Sequence, residues 1–436
     1  MTAFRKTCCV LFALLALLPA MAQTSGENGS APSANSPYTR YGYGLLTDPA
    51  VGNSQAMGGV AIGLRNRTGV NPANPASYTA IDSLTFLMDL GVGLQNGNFN
   101  DGKQRMNAKN GGLDYIAMQF RLHKRVAMSL GFLPFSTIGY SITDTKPVSD
   151  AGTTGLTAYR SYSGSGGLNQ IYAGLGFKVH ENLSVGVNAS YLFGSITQSS
   201  QLSFSESSIN TTYKVNYASI KDYKIDFGLQ YTQPIGEKHC FTLGAVYSLG
   251  HAMNNEAYTD IQRVTEQNGS LVAESNERTI VENGFEYPHC YGAGITYQYA
   301  QQWTVGFDYT RQQWGQTSYF GQKGMLADRT KYAAGIEYVP NPTKRNYLSR
   351  VRYRIGGYFI PQPYVRVSEQ FSAKEFGVSA GLGLPIFQQR SLLHIAFQYS
   401  KMKPSSLNSG LVEENYLRVH IGLTFNERWF AKWKVQ

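Results

Sequence analysis

The run QIYAGLGFKV, residues 170–179, decides how the rest of the chain is read. Ile171, Ala173, Leu175, Phe177 and Val179 are apolar, and Gln170, Tyr172, Gly174, Gly176 and Lys178 alternate with them. In an extended chain, successive side chains point to opposite faces, so this strict period of two marks a strand with one apolar and one polar face. Working outward, Leu84, Phe86, Met88, Leu90, Val92 and Leu94 repeat the pattern, as do Ile116, Met118, Phe120 and Leu122. The last instance is Leu417 to Phe425. In all there are 14 such runs, near 83–95, 111–122, 126–140, 166–179, 183–203, 211–233, 240–250, 287–299, 303–314, 325–339, 351–360, 371–384, 391–401 and 414–425.

The connections alternate in length. HKR (123–125), HEN (180–182) and AQQ (300–302) are tight, whereas 96–110, 141–165, 251–286, 315–324, 361–370 and 402–413 are long and polar. Short turns at one end and long loops at the other are the pattern of an outer-membrane barrel. A soluble sandwich would also alternate. Three features favour the barrel. Many runs are long enough to cross a bilayer when tilted. Tyr297, Tyr299, Trp303, Tyr309, Trp314, Tyr338 and Tyr399 sit near strand ends, as an aromatic girdle requires. Closure also leaves no exposed edge. The expected fold class is all-β: a transmembrane, 14-stranded antiparallel barrel over residues 83–426, with a periplasmic tail at 427–436.

The ends of the chain agree. Arg5 and Lys6 precede an apolar run of 11 residues, Cys8 to Leu18, and Ala20-Met21-Ala22 follows. This predicts a signal peptide over 1–22, too short to span a bilayer as a helix. Its removal takes Lys+Arg from 38 to 36 against 28 acids, a net charge of +8. Only Cys240 and Cys290 then remain, which is no disulfide scaffold, and free thiols are expected.

Residues 23–82 lack the period of two. Gln23 to Ser36 is a Ser/Gly/Asn/Ala-rich leader. SPYTRYGYGLL (36–46) and AMGGVAIGL (56–64), with Gly58 and Gly59, are Gly-rich and semi-apolar. A barrel of 14 strands encloses space that these residues can fill as a plug. In GVNPANPASY (69–78), each Pro removes an N–H donor and pushes the preceding Asn out of helical geometry. Asn71-Pro72-Ala73 and its repeat Asn74-Pro75-Ala76 therefore cannot continue a plug helix, and are expected to form a hinge between plug and first wall strand.

With its signal peptide, AMGG, the Asn-Pro-Ala element, 14 strands and the closing strand YLRVHIGLTF (416–425), the chain resembles the FadL family of outer-membrane transporters. SPYTRYGYG and NPANPASYTAIDSLTF are similar to a Bacteroidetes-type branch of that family. The resemblance implies that the N-terminal segment is a hatch inside the barrel. It also implies passive uptake of long-chain fatty acids or other hydrophobic small molecules across the bacterial outer membrane. Residues 427–436 depart from the family's usual terminal aromatic.

No catalytic pattern stands out: there is no HExxH, GxSxG or Walker loop. No enzyme activity, cofactor, metal or nucleic-acid partner is expected; the surrounding partners are outer-membrane lipids. The nearest thing to a binding site is charge of lumen parity. Lys178, Lys224, Lys331, Arg352 and Arg354 lie on the polar face of their strands, as do Asp89, Asp226, Asp308 and Glu337. A fatty-acid carboxylate could meet one of these cations beside an apolar pocket; the plainer expectation is that they pair with one another or with the hatch. A reading of a different class is a non-transporting barrel subunit of an outer-membrane assembly or secretion complex. Its docking surfaces would be the acidic loop 251–286 or the basic periplasmic turns.

Overall fold

A computed structural model of the chain describes residues 36–148, 155–206, 208–267, 270–367, 373–386, 391–404 and 411–428. The expected signal peptide, residues 23–35 of the leader and residues 429–436 of the tail lie outside the described residues.

Fourteen strands form the wall. They are β1 Thr85–Asn100, β2 Arg105–His123, β3 Val126–Pro147, β4 Thr157–Lys178, β5 Leu183–Phe204, β6 Thr211–Ile235, β7 His239–Ser248, β8 Cys290–Tyr299, β9 Trp303–Gln312, β10 Arg329–Tyr338, β11 Arg352–Ile360, β12 Ala373–Ile386, β13 Ser391–Pro404 and β14 Glu413–Arg428. Each pairs antiparallel with the next. β14 pairs back onto β1, from Thr85↔Arg428 to Asn100↔Glu413, and closes the sheet. All fourteen expected strands form in order.

The alternation sorts as expected. Phe227, Leu229 and Tyr231 of β6, Leu243 of β7, Phe307 of β9 and Ile355 of β11 are exposed on the outer surface. Gln230, Thr242, Asp308 and Arg354, at the intervening positions, are buried inside. An outer surface this apolar is stable against hydrocarbon and not against water. Trp303 stacks on Tyr338 with ring centroids 4.2 Å apart, in keeping with the aromatic girdle.

The wall is uneven in height. β7 to β11 have only 9 or 10 residues each, about what a tilted strand needs to cross. β3 to β5 have 22 residues and β6 has 25. At ~3.3 Å per residue and a tilt of ~45°, strands that long rise roughly 50 Å along the membrane normal, against a hydrocarbon core of ~30 Å.

Two stretches expected to be loops are therefore largely strand: most of 96–110 belongs to β1 and β2, and much of 141–165 to β3 and β4. The expected loop 251–286 is corrected most. It folds into a hairpin, Asn255–Gln267 with Ser270–Ile280. Asn255–Val264 continues the wall by pairing with Thr211–Ile220 of β6, above the point where β6 leaves β7. Beyond the membrane both faces of a strand meet water, so the apolar period vanishes while the backbone pairing continues.

The wall has one seam. β2 and β3 pair only between His123↔Val126 and Ile116↔Phe132. Above that, β2 stays with β1 and β3 with β4. Leu45 and Leu46 of the N-terminal segment pair with Thr137 and Ser136 in the gap, and the Thr47 amide donates to Phe135 O at 2.9 Å.

Candidate functional site: a hatch held in the lumen

The N-terminal segment runs through the barrel from the outer rim to the periplasmic end. It begins beside β14, where Ser36 Oγ donates to Glu414 Oε1 at 2.6 Å and Tyr38 OH donates to Val412 O at 2.8 Å. The Arg40 guanidinium lies 3.6 Å from the centre of the Tyr162 ring. Three short 3-10 helices follow one another, Pro37–Arg40, Gly52–Met57 and Pro75–Ala80, before the chain turns into β1 at Leu84, whose φ is 56°.

The middle helix explains the glycines on both sides of the contact. Gly58 ends it in the left-handed region, φ 69°, which a side chain would strain. Its amide donates to Ser379 Oγ of β12 at 2.8 Å. Met57 is fully buried against the wall. A Cβ on Gly335 of β10 would stand 2.7 Å from Met57 Cβ, and one on Gly356 of β11 would stand 2.7 Å from Met57 Cα. The small residues on the polar face of the wall thus mark where hatch backbone packs. Gly59, φ 88°, lies beside Lys331 and Asp48 in the same way.

The Asn-Pro-Ala repeat is buried except at Ala73, and both of its Asn side chains are hydrogen-bonded. Asn71 Nδ2 donates to Ala61 O at 2.7 Å and Leu64 O at 3.1 Å. Asn74 Nδ2 donates to Ile62 O at 2.8 Å, while its Oδ1 accepts the Ala76 amide at 3.1 Å and caps the helix. Pro75 occupies the first turn of that helix, where the missing N–H costs nothing. The second proline of the repeat starts a helix. Ala73 lines the cavity described below, and Ala76 is wholly buried. From the wall, Asn188 of β5 donates through Nδ2 to Pro72 O and accepts from Tyr78 OH through Oδ1, both at 2.9 Å. Gln230 Nε2 of β6 donates to Ile62 O at 3.0 Å. Gln119 Nε2 of β2 donates to Tyr78 O at 2.9 Å.

The lumen charges divide into two groups. In the first, Arg354 Nε donates to Glu337 Oε2 at 2.6 Å and Arg352 Nη1 to Oε1 at 3.1 Å. Arg354 Nη1 also reaches His394 Nδ1 at 2.9 Å, and His394 Nε2 lies 2.9 Å from Thr424 Oγ1. In the second, Lys224 pairs with Asp226 at 2.5 Å, Ser248 Oγ donates to the same carboxylate at 2.6 Å, and Lys331 pairs with Asp48 of the hatch. Lys178 joins neither group; it is half-buried at the periplasmic end of β4 and has no ion pair among the described residues.

Asp308 is the strongest anchor of the hatch. Its Oδ2 accepts the amides of Ala61 and Ile62 at 2.6 and 2.8 Å. Its signal in the sequence is an acid of lumen parity inside an apolar-faced strand. Asn188, Gln230, Gln119 and Ser379 share that parity but are ordinary polar residues of a barrel interior, so nothing local singles them out.

A cavity of about 160 Å³ remains between hatch and wall. Leu46, Asp48, Ile62 and Pro72 bound it on one side, and Tyr172, Lys224, Asp226, Asp308, Arg329 and Lys331 on the other. Pockets for drug-sized ligands span roughly 300–1,000 Å³ and are mostly apolar. This one is smaller, and its lining mixes apolar groups such as Ile62, Leu133, Phe135 and Val246 with the charged side chains.

Above the cavity an aromatic lid closes the outer side. The Tyr43 ring of the hatch lies 5.2 Å from those of Trp314 and Tyr319 and 6.1 Å from Phe285. Trp314 lies 5.2 Å from Tyr364. These partners come from the connections after β7, β9 and β11. Trp314 is thus corrected: it is 1% exposed in an inward-folded turn and does not belong to the lipid-facing girdle. Trp314→Ala is expected to cost about 3–5 kcal/mol of stability and to admit vancomycin to whole cells. Growth at graded vancomycin concentrations checks this, and unchanged resistance would count against a lid.

Cys240 and Cys290 are free. No group of His, Cys, Asp and Glu among the described residues could hold a metal ion.

Solved structures share this architecture. The toluene transporter TbuX of Ralstonia pickettii superposes with a TM-score of 0.58 at 14% identity, over 88% of this chain and 99% of that one. A FadL homologue of Pseudomonas aeruginosa gives 0.56 at 13%, over 88% and 98%. The toluene transporter TodX of P. putida gives 0.56 at 12%, over 89% and 100%. At these identities the likeness concerns the fold. A search of the curated proteins found no match. The fold and its plugged lumen define a 14-stranded barrel with the architecture of the FadL-like outer-membrane proteins. A family model described as BamG matches residues 4–436, and the chain belongs to the BamG family.

Proposed function

We propose that this barrel is a structural subunit of the machinery that assembles β-barrels in the outer membrane, and passes no cargo of its own. The observation that carries the reading is the filled lumen. The hatch is bonded to the wall at its start, middle and end, aromatic rings pack over the outer side, and the cavity described between hatch and wall is small. The name of the family, BamG, points to the BAM machinery and supports the same reading. In mild detergent, the tagged protein is expected to bring down the central assembly barrel in fixed ratio. Depleting it is expected to lower several unrelated outer-membrane barrels together.

The second reading is passive uptake of an apolar compound, and the seam favours it. The cavity touches Leu133 and Phe135 of β3, beside the gap between β2 and β3. Normal levels of other barrels after depletion, with selective loss of toluene or fatty-acid uptake, would put this reading first.

The Asn-Pro-Ala repeat acts as a lock in this proposal, because its polar groups are already bonded inside the lumen. Replacing Pro72 and Pro75 by Ala then lowers thermal stability by about 0.4–1 kcal/mol per site, through the freer unfolded chain, and leaves permeability unchanged. A gain in dye or antibiotic entry at unchanged melting temperature would instead make the repeat a moving gate.

A further inference from the structure

The hairpin that extends the wall presents an open edge. Ser270–Ile280 pairs on one side with Asn255–Gln267. On the other side no strand pairs with it among the described residues. Such an edge offers backbone N–H and C=O groups to another chain, and proteins usually blunt it with Pro, Lys or a bulge. The strand SLVAESNERTI contains no Pro, Gly or Lys. The register shift opposite Arg263/Val264 leaves Glu274 as an extra residue of this strand, a bulge at its outer end; below it, Ser275–Ile280 pairs without interruption with Tyr258–Arg263. Every residue from Glu274 to Ile280 is exposed, Ile280 at 71%.

The edge is held in place. Glu274 accepts from Asn210 and Thr265. Arg278 donates to Asp260 through Nε at 3.0 Å and Nη2 at 2.6 Å, and its guanidinium lies 4.3 Å from the centre of the Tyr258 ring. The Tyr258 ring in turn stacks on Tyr217 of β6 at 5.2 Å. An ordered edge has less entropy to lose on pairing.

The charge of the edge selects the occupant. Arg278, the strand's cation, is neutralised by Asp260. Glu256, Glu277 and Glu282 are exposed and have no cation partner among the described residues. We propose that Ser275–Ile280 takes up an extended, Lys- or Arg-bearing segment of a protein partner by strand addition at the cell surface. This rests on the assembly-subunit reading. Main-chain bonds supply the affinity, and the carboxylates favour a basic strand.

The test uses the purified full-length barrel and short synthetic peptides alternating Val or Thr with Lys. The basic peptide is expected to bind, and the same peptide with Glu for Lys is not. Methylating alternate backbone nitrogens of the basic peptide is expected to weaken it at least about tenfold, since each lost pairing removes about 1 kcal/mol. Glu277→Lys with Glu282→Lys is expected to weaken it similarly, with barrel folding checked by the heat-dependent gel shift. Equal binding of the methylated peptide would reduce the site to a charged patch, and no binding at all would overturn the proposal. Disulfide-linked dimers of Asn276→Cys formed without peptide would assign the edge to a second copy and overturn it as well. Recovery of the assembly barrel by the tagged protein is scored separately, so the subunit reading can survive any of these failures.

Discussion

Replacing Arg354 by Met is expected to destabilise the barrel by about 3 kcal/mol, and replacing Arg354 and Glu337 together by Met and Gln is expected to restore most of the loss. Arg354 is 4% exposed and Glu337 8%. Removing one partner of a buried pair typically costs ~3–5 kcal/mol, because an uncompensated charge remains in the interior. The lower end applies here, since Arg352 still holds one oxygen of Glu337 at 3.1 Å. The single variant also removes a donor to His394. The double variant removes both deeply buried charges and leaves only Arg352, whose side chain is 24% exposed and can be hydrated, so the two losses are not additive. Urea unfolding in lipid vesicles measures all three proteins. Equal stability of the single and double variants would mean that the two side chains are uncoupled.

Asp308→Ala is expected to release the hatch while leaving the wall closed. The substitution strands the buried amides of Ala61 and Ile62, at about 1–3 kcal/mol each. The wall loses no backbone pairing, because β9 keeps its ladders with β8 and β10. The cost therefore falls on the hatch, whose amides should exchange with solvent faster around residues 58–64. Ion conductance in planar bilayers should rise, and vancomycin should enter cells. Asp308→Asn keeps one carbonyl oxygen in place and should show a smaller effect of the same sign. Unchanged hydrogen exchange and conductance in Asp308→Ala would mean that the remaining anchors suffice, and that Asp308 is one contact among many.

Both variants touch residues whose parity is visible in the sequence but whose partners are not. Arg354 and Asp308 stand on the polar faces of alternating runs, which places them in the lumen. Nothing in those runs says that Arg354 meets Glu337 on the adjacent strand, or that Asp308 meets the backbone of residues 61 and 62. The glycines behave alike. Gly335 and Gly356 read as small lumen residues, and their reason appears only once Met57 is seen against them. Asn71 and Asn74 look equivalent in the repeat. In the fold, one ties the hatch loop to itself and the other caps a helix.

Alternation is a local property written by the lipid. Each wall strand touches hydrocarbon on one side over its whole crossing, so ten residues suffice to reveal it, and strand number, order and closure follow. Above the bilayer that contrast is gone, and the hairpin Asn255–Gln267 with Ser270–Ile280 passes for a loop. Trp314 passes for a girdle residue for a related reason. Aromatic rings are equally at home at a lipid interface and in a dry core, and only the inward fold of its turn separates the two. The sequence by itself determined the barrel. How the N-terminal segment is fixed in the lumen was decided only in three dimensions, by contacts between residues more than two hundred positions apart, such as Ala61 with Asp308 and Gly58 with Ser379. Hydrogen bonds of that kind need only a polar atom at the right place in space, and they leave no period behind.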